Sequence, residues 1–279
     1  MNKKVRGILD VLFFVVVFFL IQYVVTVGVA ALDVWVQNGS WSRFYAQLAT
    51  GGFQLSGKQF VLASVLGSVL TLTVFTTLRW ALLSRAWLST HPWQVLAWVV
   101  FASLGSILPS EWLQDQLALS LPVATQKMFA EIMGEPTGYL AIGILAPLAE
   151  ELVFRGAVLR TLLRLLGPRR HGLAILVSAV LFGAVHLNLP QFVHATLIGL
   201  LLGWMYYRTD SIIPGVVFHW INNTVAYIMF NLMPQMADGK LIDLFHGDSR
   251  MMWMGLAFSV CILLPSLLQL SIRLKRAGK

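Results

Sequence analysis

The sequence predicts an all-α, polytopic transmembrane helix bundle of about eight spans, and three observations carry that expectation. The 279 residues are 58% hydrophobic and only 11% charged, with a mean hydropathy of +0.77, whereas soluble domains carry about 25% charged residues. Apolar runs near the roughly 20 residues needed to cross hydrocarbon recur along the whole chain. The basic residues, finally, cluster at alternate ends of those runs, where orientation signals fall. The alternating pattern of a membrane barrel is absent.

The expected spans are 7–31, 59–84, 93–109, 138–163, 172–187, 191–207, 212–233 and 252–272. The first follows Lys3, Lys4 and Arg6 and imitates a secretory signal, with Gly28-Val29-Ala30 resembling a cleavage site. Its apolar run exceeds the roughly 7–15 residues of a signal core, so it reads as an uncleaved helix. Arg79 and Arg85 follow the second span; Arg160, Arg164, Arg169 and Arg170 follow the fourth. Arg208 follows the sixth, and Arg273, Lys275, Arg276 and Lys279 follow the eighth. The segment 110–137 on the opposite side holds Glu111, Asp115, Glu131 and Glu135 against Lys127 alone. This asymmetry places both termini in the cytoplasm and fits a bacterial inner membrane. It also argues against nucleic acid as the reason for the net charge of +8. Partners are then the bilayer and whatever the bundle binds.

Two long connections, 33–58 and 110–137, fall on the outer side, the second as a packed loop helix. Gly199 and Gly203 fit close helix packing. Trp87, Trp93 and Trp112 lie near span ends as aromatic anchors do. Cys261, the single cysteine, reads as a small buried hydrophobe, and His194 as packing or cavity lining. His171 and His246 sit in loops without a motif.

The fourth span breaks the apolar pattern with Pro147-Leu-Ala-Glu-Glu-Leu-Val-Phe-Arg155. An ionisable side chain at mid-bilayer costs about 2.5–3.5 kcal/mol on insertion scales, so Glu150, Glu151 and Arg155 require compensation. Glu151 and Arg155 are four residues apart and share a helix face. Glu150, rotated by about 100°, falls off that face and stays available. Pro147 cannot donate to a preceding carbonyl, which predicts a disturbed helix there. His186 closes the fifth span; His219 stands early in the seventh, with Asn223 one turn on. Counted from the basic ends, Glu150 lies about 15 Å deep, His219 about 12 Å and His186 about 21 Å. His186 comes out deeper than the others, a gap that a tilted fifth helix, or one beginning later than Gly172, closes; the three groups then share an active site inside the bundle.

The pattern resembles the CAAX-protease and bacteriocin-processing family of intramembrane proteases. Glu150-Glu151-Leu-Val-Phe-Arg155 matches its Glu-Glu-x-x-x-Arg motif, Phe182 to His186 its Phe-x-x-x-His motif, and His219 to Asn223 its His-x-x-x-Asn motif. The three occur in family order. The resemblance covers roughly 138–234 as a catalytic core of four spans. An N-terminal region, residues 1–137, precedes that core, and a C-terminal region, residues 235–279, follows it. The resemblance implies an intramembrane endopeptidase acting on a membrane-associated or amphipathic peptide. Glu150 would activate water, Glu151 and Arg155 would support it, and His186, His219 and Asn223 would orient the water or stabilise the oxyanion. The implied cofactor is zinc or another divalent metal, with His186 and His219 as its candidate ligands; a metal-free glutamate mechanism is the other possibility. Two other classes use the same residues: a non-catalytic scaffold or immunity protein binding a peptide or sensor partner, and a proton-coupled transporter.

Overall fold

The computed structural model describes residues 2–38, 41–50, 55–82, 86–233 and 239–276. Arg85 and Lys279, two of the orientation signals, lie outside the described residues. Helices α1 (Lys3–Asn38), α2 (Trp41–Thr50), α3 (Gly57–Thr77), α4 (Trp93–Gln116) and α5 (Val123–Met133) form the N-terminal region. Helix α6, residues 140–166, is continuous but changes register three times. A π-helical stretch Leu140–Leu145 leads into α-helical Ala146–Glu151, then π-helical Leu152–Leu159 and α-helical Arg160–Leu166. Helices α7 (His171–Ala184), α8 (Leu189–Thr209), α9 (Ile213–Leu232) and α10 (Ser249–Arg273) complete the chain.

A helix stands at each expected span, and no strand occurs among the described residues. Among the described residues five helices are long and apolar enough to cross a membrane: Lys4–Gln37, Gly57–Thr77, Trp93–Gln116, Leu189–Thr209 and Ser249–Arg273. The other three expected spans are α6, α7 and α9. Helix α7 has 14 residues, about 21 Å at 1.5 Å per residue, against a hydrocarbon core of about 30 Å. Charges interrupt α6, and His219, Asn222, Asn223 and Asn231 dilute α9. The helices least suited to lipid are therefore those that bring the three motifs.

They tolerate this because α6 is enclosed by protein. It packs against α1, α3, α7, α8 and α9, and every residue from Glu151 to Leu159 is buried. Its enclosure begins with an aromatic chain: Phe18 of α1 meets Phe154 edge-on at 5.8 Å, and Phe154 meets Phe182 of α7 at 5.1 Å. Large apolar side chains instead face outward on the peripheral helices, Leu20 and Val24 on α1 and Phe258, Leu264 and Leu268 on α10; Cys261, expected to be buried, is exposed on the same helix. That is the surface an integral membrane protein presents to acyl chains.

Small residues set the close approaches. A Cβ on Gly203 would lie 2.9 Å from Ile175, and one on Gly199 3.1 Å from the Cα of Ala179. The α7–α8 contact thus depends on the glycine pair the sequence marks. On the other flank α10 packs along α4, where a Cβ on Gly105 would stand 2.7 Å from the backbone nitrogen of Leu263.

The third span departs from expectation. Helix α4 does not end at 109 but continues through Pro109 to Gln116. Proline lacks the N–H that would reach the carbonyl four residues back, Gly105. The Ser259 hydroxyl of α10 donates to that oxygen at 3.1 Å, so a neighbouring helix replaces the missing donor. The connection 110–137 accordingly begins as helix and contains α5, the packed loop helix anticipated there. Likewise α1 extends to Asn38 and α2 fills some of 33–58.

Ser259→Ala strands the Gly105 carbonyl in a buried contact and is expected to cost about 1–3 kcal/mol. Unfolding of the purified protein in detergent measures it, with exposed Ser271→Ala as the control expected to leave stability unchanged.

Candidate active site

The site begins with two adjacent carboxylates that α6 sends in different directions. Glu151 is fully buried; the Glu150 side chain keeps 21% of its surface exposed. One turn along, the Arg155 guanidinium donates from Nη1 to Glu151 Oε1 at 2.6 Å. Arg155 is itself buried, with its carbon centre 4.4 Å above the Phe182 ring and Nη2 3.4 Å from the Gly199 carbonyl. Glycines make the space: a Cβ on Gly215 of α9 would sit 2.5 Å from Glu151 Oε2, and one on Gly199 3.4 Å from Arg155 Nη2. The pairing expected from the four-residue spacing is present, and Glu150 is the carboxylate left over.

His219 lies between the two acids. Its Nδ1 is 3.3 Å from Glu151 Oε1, and its Nε2 is 3.7 Å from Glu150 Oε2. A carboxylate oxygen accepts, so Nδ1 carries a proton and Nε2 is turned to Glu150. His186 shows the same arrangement by another route. It sits in the turn just past the end of α7, and its Nδ1 is 2.9 Å from the Phe182 carbonyl. That carbonyl also accepts only, which again leaves Nε2 free. Both imidazoles lean edge-on against the Phe182 ring, at 5.3 Å for His186 and 5.8 Å for His219. Phe182 thereby joins Arg155 and both histidines in one contact set, a role its place in Phe-x-x-x-His does not announce.

Asn223 has a task the sequence did not reveal. In the first π-helical stretch the Ala146 N–H reaches back five residues to the Ala141 carbonyl. The next donor in that register is Pro147, which has none, so the Ile142 carbonyl is released. Asn223 Nδ2 donates to it at 3.0 Å. The disturbance expected at Pro147 thus takes the form of a π turn held by a side chain from α9. Neighbouring polar contacts extend the same seam: Trp220 Nε1 donates to Tyr139 Oη at 2.8 Å, and Tyr227 Oη to the Glu135 carbonyl at 3.3 Å. Among the described residues the Asn223 side chain makes no further hydrogen bond, which leaves its Oδ1 and one N–H.

His194 belongs to this neighbourhood more closely than its reading as packing or lining suggests. Its Nδ1 is 2.7 Å from Ser110 Oγ, and it lies within electrostatic reach of Asn222, His186 and His219. It follows the turn capped by Asn188, whose Oδ1 accepts from Gln191 N at 3.0 Å. No spacing signal marks it, because that turn, not a helix repeat, brings it back to the other imidazoles.

The donor set fits a metal poorly. His186 and His219 offer two free Nε2 atoms, but among the described residues no three His, Cys, Asp or Glu side chains gather closely enough to hold an ion. A catalytic zinc takes three protein ligands.

A family model described as type II CAAX prenyl endopeptidase, Rce1-like, matches residues 134–225. That stretch holds Glu150, Glu151, Arg155, His186, His219 and Asn223. YdiL of Bacillus subtilis (strain 168), provisionally named a membrane peptidase, is 30% identical over 105 residues, which cover 38% of this chain and 42% of YdiL. The match therefore spans less than half of that relative's length. No solved structure matches the chain. The resemblance read from the three motifs holds over the segment that carries them.

Arg155→Met leaves Glu151 as a lone enclosed carboxylate and is expected to cost about 3–5 kcal/mol. The double change Glu151→Gln with Arg155→Met removes both charges and is expected to recover some of that loss. Unfolding of the single and double variants in detergent gives the coupling directly.

Proposed function

From a chain whose residues 134–225 resemble a CAAX endopeptidase domain, we propose an intramembrane endopeptidase that hydrolyses a peptide bond in a membrane-associated or amphipathic substrate. One observation carries the reading: Glu150 Oε2 and His219 Nε2 face each other at 3.7 Å, beside a second imidazole whose Nδ1 is likewise committed. A water molecule seated against both atoms can give its proton to Glu150 as its oxygen attacks the scissile carbonyl carbon. The negative charge moves to the carbonyl oxygen. His186 or His219 stabilises it when Nε2 also carries a proton, and so does the remaining N–H of Asn223. When the C–N bond breaks, Glu150 returns its proton to the departing amine.

The rest of the site supports positioning. Glu151 fixes His219 through Nδ1, while Arg155 balances the charge that Glu151 brings inside. No step runs through a metal, since among the described residues no third His, Cys, Asp or Glu joins the two imidazoles closely enough to hold an ion. The basic helix ends face the cytoplasm in this reading, as the loop charges indicate.

Glu150→Gln is expected to lower cleavage by about 10²–10⁴-fold while leaving thermal unfolding unchanged, because Glu150 is partly exposed and ties only the long contact to His219. The readout compares membrane peptides from cells carrying the wild type and the variant. A phenotype that persists in Glu150→Gln but disappears with the protein favours the scaffold reading.

Exhaustive metal removal is expected to leave activity in place. Loss with chelator and recovery with zinc alone overturns the metal-independent chemistry.

A further inference from the structure

A cavity of about 640 Å³ opens at the basic end of α6, lined by Arg160, Arg164, Tyr206, Arg208, Lys275 and Arg276 among others. Arg160 is ten residues from Glu150, about 15 Å along the helix, so the cavity lies outside the site described above. Five cations line it against one acid, Asp210.

These cations fall into two groups. Arg208 is occupied by the scaffold: its Nε donates to the Leu274 carbonyl at 3.1 Å and its Nη2 to the Ser271 carbonyl at 2.9 Å. These bonds fasten the end of α10 across α8 and form one wall. Arg276 donates to the Tyr207 carbonyl at 3.5 Å. Arg160 and Arg164 differ, since neither has a hydrogen bond or ion pair among the described residues. Arg160 is nonetheless half-buried, where convergent like charges repel more strongly than in water.

Tyr206 supplies an independent indication. Its residue surface is only 5% exposed, it lines the cavity, and its hydroxyl makes no hydrogen bond among the described residues. Arg160, Arg164, Arg276 and Asp210 are the charged groups within its electrostatic reach. A hydroxyl at the cavity wall with no partner among the described residues, on a side chain otherwise buried and beside unpaired guanidinium groups, describes a place for an anion with several acceptor oxygens.

We propose that this cavity binds a phosphate-bearing anion, held by Arg160 and Arg164 with Tyr206 as a hydroxyl donor. Guanidinium forks match phosphate oxygens in pairs, and basic pockets between helix ends suit anionic head groups. The position at the arginine-rich end of the bundle suits a phospholipid head group; free phosphate has the same chemistry.

Native mass spectrometry of the intact protein in detergent, with added phosphatidylglycerol or phosphatidylcholine, tests the site. The wild type is expected to prefer phosphatidylglycerol. Replacing Arg160 and Arg164 together by Gln is expected to reduce that preference about tenfold or more. Replacing Arg169 and Arg170 by Gln removes the same charge from exposed neighbours outside the cavity and is expected to preserve it. Tyr206→Phe, which changes no charge, is expected to weaken binding about threefold without lowering thermal stability. Equal losses in the two arginine pairs, or no preference in the wild type, overturn the proposal. Competition with inorganic phosphate separates the sources: displacement at millimolar concentration points to soluble phosphate, and resistance to a lipid.

Discussion

The arrangement depends on one enclosed ion pair. Glu151 and Arg155 are removed from solvent together, 2.6 Å apart, inside a helix whose neighbours surround it. Neither charge is tolerable alone at that depth, and together they fix the rotation of α6. Once Glu151 is committed to Arg155 and to His219, the preceding residue must point elsewhere. Glu150 is thereby held at the edge of the enclosure, next to an imidazole and still open to small molecules. The glycines at 199 and 215 belong to the same constraint, because a methyl group at either place meets the pair.

Much of this was legible in the sequence because it follows from local geometry. A spacing of four fixes which acid pairs with Arg155, and adjacency sends the other acid off that face. The apolar runs likewise locate a helix at each of the eight expected spans, five of them long and apolar enough to cross a membrane. What the sequence concealed was relational. Asn223 reads as a polar residue one turn from His219, but which carbonyl it reaches depends on a register change in another helix. His194 returns to the imidazoles through a turn that no periodicity records. The length of α4 was misjudged at Pro109, where the stop signal is local. The compensation comes from Ser259, 154 residues along the chain from the carbonyl it satisfies.

Proline and serine or asparagine act as pairs in this fold. At Pro109 and again at Pro147 the chain gives up a backbone donor, and a side chain from a packed helix answers the freed carbonyl. In hydrocarbon no water is available to do so. Each proline thus marks a place where two helices must stay together. The first joins α4 to α10 at the periphery; the second joins α6 to α9 beside Glu150.

The π turn before Glu150 gives the helix a tolerance in residue count that it lacks in residue type. Such a turn accommodates one more residue than an α-helical turn of similar rise. Deleting a single residue between Leu140 and Leu145 therefore offers the helix a way back to ordinary winding with everything beyond it facing nearly the same way. Glu151 and Arg155 both lie beyond that point and keep the spacing of four that pairs them. Chains that keep both glutamates but differ here by one residue can thus present the same carboxylate to the histidines.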